Sequence, residues 1–178
     1  MMAEDPVEDD LELQVVSAAE PFEAFFSREF PKMVAVAYAI SGSRWAAEEL
    51  AQEACLRAYK SWDSVAHYDK PGAWLRRVTI NLANSLLRRR VSEVKALERY
   101  LVGGVEVVDS HPVEEAAFWD QVRELPRRQR EVIVLHYVDG LDNGGIADVL
   151  DISESSVRTH LQRGREALAR IVDSGGLR

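Results

Sequence analysis

Polar and charged side chains are plentiful in this 178-residue chain, but their spacing favours gripping a polyanion over making or breaking bonds. His67, His111, His136 and His160 are scattered without metal-ligand spacing, and no glycine-rich loop of the phosphate-cradling kind occurs. No catalytic residue, metal site or cofactor is therefore expected. Two other groupings do carry a pattern. On a helix opening at Glu154, plotted at about 100° per residue, Val157, Leu161, Gly164, Leu168 and Ile171 fall on one side. Ser155, Thr159 and Gln162 fall opposite, flanked by Arg158, Arg163 and Arg170. Hydroxyls, an amide and guanidiniums are the groups that read base edges and hold phosphates. The second grouping is the run Pro71–Arg90, which contains no acid at all. Trp74, Leu75, Val78, Leu82 and Leu86 form its apolar stripe, while Arg76, Arg77, Asn81, Asn84, Ser85 and Arg88–Arg90 occupy the rest. A helix that is merely solvated mixes both signs of charge, so this one reads as a phosphate-contacting surface.

The elements that must hold these groups are helical throughout. Apolar residues recur at helical spacing from Phe22 almost to the end, and no segment alternates like a strand. A first helix carries Phe22, Phe25, Phe26, Met33, Val34, Ala37 and Tyr38, with Pro31 as a point of kinking or breaking. Ser41-Gly42-Ser43 is a stop and restart, with Ser43 placed to cap a helix from Arg44 to Trp62. Residues 63–70 read as a polar loop; Trp62 and Tyr68 beside it suit either stacking on unpaired bases or burial in a core. Pro71 suits the first turn of a helix through Arg90 and beyond. Glycines 103 and 104 and the segment through Pro112 then break the pattern. Helices follow at Val113–Glu124, Pro126–Val138, Asn143–Leu150 and Ser153–Ile171. The last two, joined by Asp151-Ile152-Ser153, have the helix-turn-helix layout, with Ala147 small at the crossing and Ser153 as N-cap. The expected architecture is all-α: an acidic, disordered tail (1–20), a helical domain (21–101), a flexible linker (102–112) and a helix-turn-helix domain (113–178).

A net charge of −8 at first speaks against a nucleic-acid partner. Its distribution removes the objection: residues 1–29 hold nine acids and one base, leaving the remainder neutral with 21 of each sign. Residues 76–99 carry seven bases and two acids, and local fields govern the approach to phosphates. The one cysteine, Cys55, excludes an internal disulfide, fits a reducing compartment and reads as a small buried apolar residue. No stretch approaches the length of a membrane span, and the acidic N-terminus is unlike a secretion signal, so a cytoplasmic location without membrane insertion is expected.

The two grips together resemble one family, the bacterial RNA polymerase sigma factors in their two-domain extracytoplasmic-function (ECF) group. Ala47-Glu48-Glu49-Leu50-Ala51-Gln52-Glu53-Ala54, Trp62, Pro71-Gly72-Ala73-Trp74-Leu75 and Asn81 to Arg89 look like region 2. Leu125-Pro126-Arg127-Arg128-Gln129-Arg130-Glu131-Val132, Ile146 to Leu150 and Ser156 to Arg165 look like region 4. The resemblance covers residues 20–172 in the family's order. It implies binding to the clamp and flap of core RNA polymerase, with Glu49, Gln52, Glu53 and Arg57 on the outward face of the clamp helix. It implies recognition of a minus-ten element by Trp62, Tyr68, Arg76, Arg77, Asn81, Asn84, Arg88 and Arg89. It further implies reading of a minus-thirty-five element by Ser155, Ser156, Arg158, Thr159, Gln162 and Arg163, and restraint by an anti-sigma factor. Departures at Cys55, Ser85, Gly144-Gly145 and Ser155-Ser156 bear on which promoter is read. An autonomous helix-turn-helix regulator fits the last 45 residues, but leaves Trp74, Asn81 and Arg88–Arg90 without purpose. A decoy that binds an anti-sigma protein has no need of Arg88–Arg90 or Arg158.

Overall fold

The computed structural model describes residues 20–98 and 113–173; the acidic tail up to residue 19 and the 102–112 linker lie outside them. Among the described residues there are eight helices and no strand: α1 (Phe22–Ser41), α2 (Arg44–Lys60), α3 (Trp62–Val65), α4 (Pro71–Glu98), α5 (Val113–Glu124), α6 (Arg127–Tyr137), α7 (Asn143–Leu150) and α8 (Glu154–Asp173).

Local chemistry accounts for most of the boundaries. Gly42 adopts the left-handed conformation (φ 73°) and its N–H returns to the Tyr38 carbonyl at 2.9 Å, which closes α1. Ser43 then accepts from the Ala46 N–H and opens α2. Asp142 caps α7 through the Gly145 N–H at 2.7 Å, offsetting the weak helix propensity of Gly144-Gly145. The turn into α8 passes through Asp151 in the left-handed region (φ 55°), and Ser153 caps α8 through the Ser156 N–H at 3.2 Å. Two expectations change. The helix stays continuous through Pro31, because buried Phe25, Met33, Val36 and Ile40 hold both sides of it against the rest of the core. The 63–70 segment opens as the short helix α3, anchored by Val65, which is fully buried.

The apolar interior forms two clusters. One, built from Phe25, Met33, Ala51, Ala54, Cys55, Ala58 and Leu75, sits among α1, α2 and α4. The small alanines of α2 let it lie close to α1. The other joins Val36, Ile40, Ile80 and Ala83 of α1 and α4 to Val122, Ile133, Leu135, Ile146, Val149, Val157 and Leu161 of α5–α8. The C-terminal helices therefore pack directly on the N-terminal ones. No helix among the described residues is long and apolar enough to cross a membrane.

Candidate nucleic-acid interface

Helix α8 is seated by its apolar side. Val157, Leu161 and Gly164 are buried, and Gly164 lies so close to α6 that a Cβ there would stand 2.9 Å from Ile133 Cγ1. That seating turns Ser155, Arg158, Thr159, Gln162 and Arg163 outward, all exposed. Ser156 is half-buried, and both its N–H and its hydroxyl engage Ser153 Oγ, so it serves the cap. The outward side chains bond only along the helix: Arg158 to Glu154 at 3.4 Å, Thr159 to the Ser155 carbonyl at 2.9 Å, Gln162 to Glu166 at 2.8 Å. Such exposed i,i+4 contacts are worth a few tenths of a kcal/mol and exchange readily for a base edge or phosphate. On the flank, Arg165 donates to Tyr137 Oη at 2.8 Å and lies 5.5 Å from that ring's centre, which fixes the guanidinium near the start of the turn after α6.

The face of α4 is arranged differently. Its acid-free sequence is complemented by acids from elsewhere in the fold. Arg76, 7% exposed, pairs with Glu29 of α1 at 2.9 Å and through two nitrogens with Asp139, just after α6. Burial works against its charge, but Asp139 and Glu29 outweigh that, and Arg76 is held more firmly protonated than a free arginine. Arg77 donates to the carbonyls of Asp148 and Val149, both at 2.8 Å, and so caps the C-terminal end of α7. Asn84, 3% exposed, donates to Glu131 at 2.8 Å and accepts from Arg130 at 2.8 Å. Asn81 accepts from Arg127 at 3.2 Å, and Lys70 pairs with Asp148. Four of the eight residues expected at a minus-ten element are thus engaged with α6, α7 and the turn between them. Arg88 and Arg89 lie beyond this contact and are exposed, beside an open hollow with Ser85, Ser92 and Glu93. Trp62 is half-buried among Phe22 and Phe25, with its indole N–H on the Glu20 carbonyl at 3.2 Å, whereas Tyr68 is exposed.

Helix α2 presents Glu49, Gln52, Glu53 and Arg57 outward, with Glu53 and Arg57 paired at 2.8 Å. Sequence reasoning missed the apolar members of this face: Trp45 is 71% exposed, and Leu56 and Tyr59 are also exposed. Positions 45, 49, 52, 56 and 59 follow helical spacing, and an apolar residue recurring on an otherwise charged stripe was the available signal. Cys55 faces the other way; burial pushes its thiol up to about 11, leaving it unreactive. Also missed were the acids facing α4. Glu131 is fully buried, yet it sits in the run Arg127-Arg128-Gln129-Arg130-Glu131, which reads as a solvated surface.

Comparison with known proteins follows these two halves. Residues 25–93 match the Sigma-70 region 2 family and residues 115–168 match Sigma-70, region 4. The ECF RNA polymerase sigma factor SigW of Bacillus subtilis is 32% identical over 77% of this chain and 81% of its own length. The ECF RNA polymerase sigma-E factor of Escherichia coli K12 is 30% identical over 67% of this chain and 70% of its own. Among solved structures, the sigma factor RpoE of Bartonella quintana, in complex with the anti-sigma factor NepR, shares the fold: TM-score 0.67, 22% identity, 85% of this chain and 96% of that one. CnrH, in complex with the cytosolic domain of CnrY, superposes with TM-score 0.63 at 22% identity, over 86% of this chain and 88% of that one. With both regions matched in order, and a relative at this identity covered over most of its length, the chain belongs to the sigma-70 family of RNA polymerase sigma factors, in its ECF group.

Proposed function

We propose that this chain binds core RNA polymerase and directs it to promoters, with residues 21–101 gripping the minus-ten element, residues 113–178 the minus-thirty-five element, and 102–112 linking them. The observation that carries this reading is the outward face of α8, where Ser155, Arg158, Thr159, Gln162 and Arg163 are exposed and bonded only locally on a helix whose other side is locked to α6 and α7. An α-helix fits the major groove, and these side-chain types match its donor and acceptor pattern. Glu49, Gln52, Glu53 and Arg57, with Trp45, Leu56 and Tyr59, form the surface for the polymerase clamp, and region 4 meets the flap. Phosphoryl transfer belongs to the polymerase, so the chain works in the cytoplasm without catalytic groups or a cofactor of its own. An anti-sigma protein is the natural antagonist, since the solved relatives RpoE and CnrH were each captured with a partner chain.

Run-off transcription with core polymerase over a promoter library tests the reading and reports the recognised sequence. Arg158→Ala and Gln162→Ala should lower transcription from minus-thirty-five-dependent promoters by about tenfold each, the loss of one good base contact, while polymerase binding survives. Absence of promoter-specific transcripts from the unmodified chain refutes the sigma reading. Loss of polymerase binding in the two variants refutes the role given to α8.

A further inference from the structure

Where α4, the first turn of α6 and the C-terminal end of α7 meet, they leave a hollow of about 160 Å³ lined by four exposed donors, Arg77, Asn81, Arg127 and Arg128. Each is tethered to the protein, yet none is fully spent. Arg77 uses Nε and one Nη on the Val149 and Asp148 carbonyls, which leaves its other Nη. Arg127 uses Nε on Glu131 and one Nη on Asn81 Oδ1, which leaves its second Nη and the Asn81 amide nitrogen. Arg128 sets one Nη on Glu131 at 3.0 Å and keeps two nitrogens over. A guanidinium already fixed along one edge offers its remaining nitrogens at little further cost in entropy.

The charge around the hollow is positive. Glu131 and Asp151 stand against three guanidiniums, and Glu131, fully buried, is already met by Arg127, Arg128 and Asn84. Arg130, beside Glu131 on α6, is held less firmly protonated than a free arginine; burial is the main cause, and Arg127 adds to it against the pull of Glu131. The start of α6 contributes the same sign. Pro126 offers no side-chain cap, and the N–H groups of Arg127, Arg128 and Gln129 find no acceptor among the described residues. We propose that this hollow binds a phosphoryl dianion, either orthophosphate or the terminal phosphate of a nucleotide. Such a group brings two charges and three strong acceptor oxygens, which guanidiniums hold through paired bonds. Ile80, Val149 and Leu150 close the floor and are themselves buried, so the phosphate sits among the four donors and the rest of a nucleotide stays outside.

The test titrates the full chain, without polymerase, at constant ionic strength and about pH 7.5, where the phosphoryl group is mostly dianionic. Side-chain nitrogen NMR signals of the arginines and of Asn81 report binding. The probes are inorganic phosphate, adenosine monophosphate, adenosine, and a thymidine dinucleotide whose phosphate is a singly charged diester. Inorganic phosphate should shift the signals of the four donors saturably, with one Kd below about 10 mM. Arg128→Ala on α6 and Asn81→Ala on α4, both at exposed positions where folding is not at stake, should each weaken it by about fivefold or more. Arg44→Ala, at an exposed arginine of α2 outside the hollow, should leave the Kd within about 1.5-fold. A tighter Kd for adenosine monophosphate than for phosphate names a nucleotide as the ligand, and an equal or weaker one names orthophosphate. Absence of saturable shifts, equal shifts at Arg44, or an unchanged Kd in both Arg128→Ala and Asn81→Ala overturns the proposal. So does adenosine binding as tightly as its monophosphate, or the diester binding as tightly as the dianion, which would make the hollow a DNA-backbone contact. No readout involves transcription, so this site can fall while promoter-directed run-off stands, and the reverse.

Discussion

Gly164→Ala separates two effects of opposite sign at the α6–α8 crossing. In a helix interior, replacing glycine by alanine stabilises by about 1 kcal/mol through backbone entropy. Here the new Cβ would stand 2.9 Å from Ile133 Cγ1, 3.2 Å from its Cδ1 and 3.6 Å from Gln129 Cβ. Cγ1 is near the root of the side chain, and Ile133 is fully buried, so a rotamer change alone cannot clear the contact. Helix α6 is also held from behind, by Arg130 on the Arg123 and Leu125 carbonyls and by Glu131 on Asn84. Overpacking of this kind costs about 1–3 kcal/mol, and a pinned helix puts this site in the upper part of that range. The net is a destabilisation of about 1–2 kcal/mol, or roughly 3–6 °C in melting temperature for a chain of this size. In an Ile133→Ala background the clashing atoms are gone, and only the helix term remains. There Gly164→Ala should stabilise, by about 1 kcal/mol relative to Ile133→Ala alone. Urea unfolding followed by circular dichroism, on all four members of the cycle, measures both numbers. A stabilising Gly164→Ala in the unmodified chain, or a destabilising one beside Ala at 133, refutes the reasoning.

Three further outcomes are expected. Arg88→Ala with Arg89→Ala should flatten the dependence of log K on log salt for single-stranded DNA by about 0.7 per lost phosphate contact, and an unchanged slope means that neither residue touches phosphate. Ser153→Ala removes the cap of α8 and should cost about 1 kcal/mol, read by chemical unfolding; a loss under about 0.3 kcal/mol would show that the hydroxyls of Ser155 and Ser156 replace it. At Glu29, burial works to raise the carboxyl, but the Arg28 hydrogen bond and the charges of Arg76 and Lys32 outweigh it and hold it below the usual carboxylate range. A depressed carboxyl contributes stability that is present above its unfolded value and lost as pH falls through its folded one, so Glu29→Gln should flatten the acid side of the stability profile below about pH 4.5. An acid limb equally steep in Glu29→Gln assigns that loss to other groups.

What the sequence made legible is what local chemistry decides. Gly42, Ser43 and Ser153 act within three or four residues of themselves, and each sits where its residue type suggests. The apolar side of α8 was equally readable, since periodicity alone fixes which residues face inward. The acid-free face of α4 was seen, but its partners were not. Asn84 meets Glu131 and Arg76 meets Asp139 across 47 and 63 positions of chain, and nothing in a linear charge pattern signals such pairing. A run of arginines on one helix is compatible with phosphates or with carboxylates supplied from afar; only the fold decides. Trp62 shows the same limit on a smaller scale, because its indole is settled by Phe22, Phe25 and the Glu20 carbonyl, none of them near it in sequence.

The apolar cluster shared by α1, α4 and the C-terminal helices also sets an order of events at the ribosome. Val36, Ile40, Ile80 and Ala83 are synthesised long before Val149, Val157 and Leu161, which help to bury them. At about 5–20 residues per second, the roughly 80 residues between Ala83 and Leu161 take some 4–16 seconds to appear. Throughout that interval the nascent N-terminal half carries its apolar patch, and the neighbouring face of α4, uncovered. Whatever meets the chain during translation thus finds a different surface from the one presented by the finished molecule.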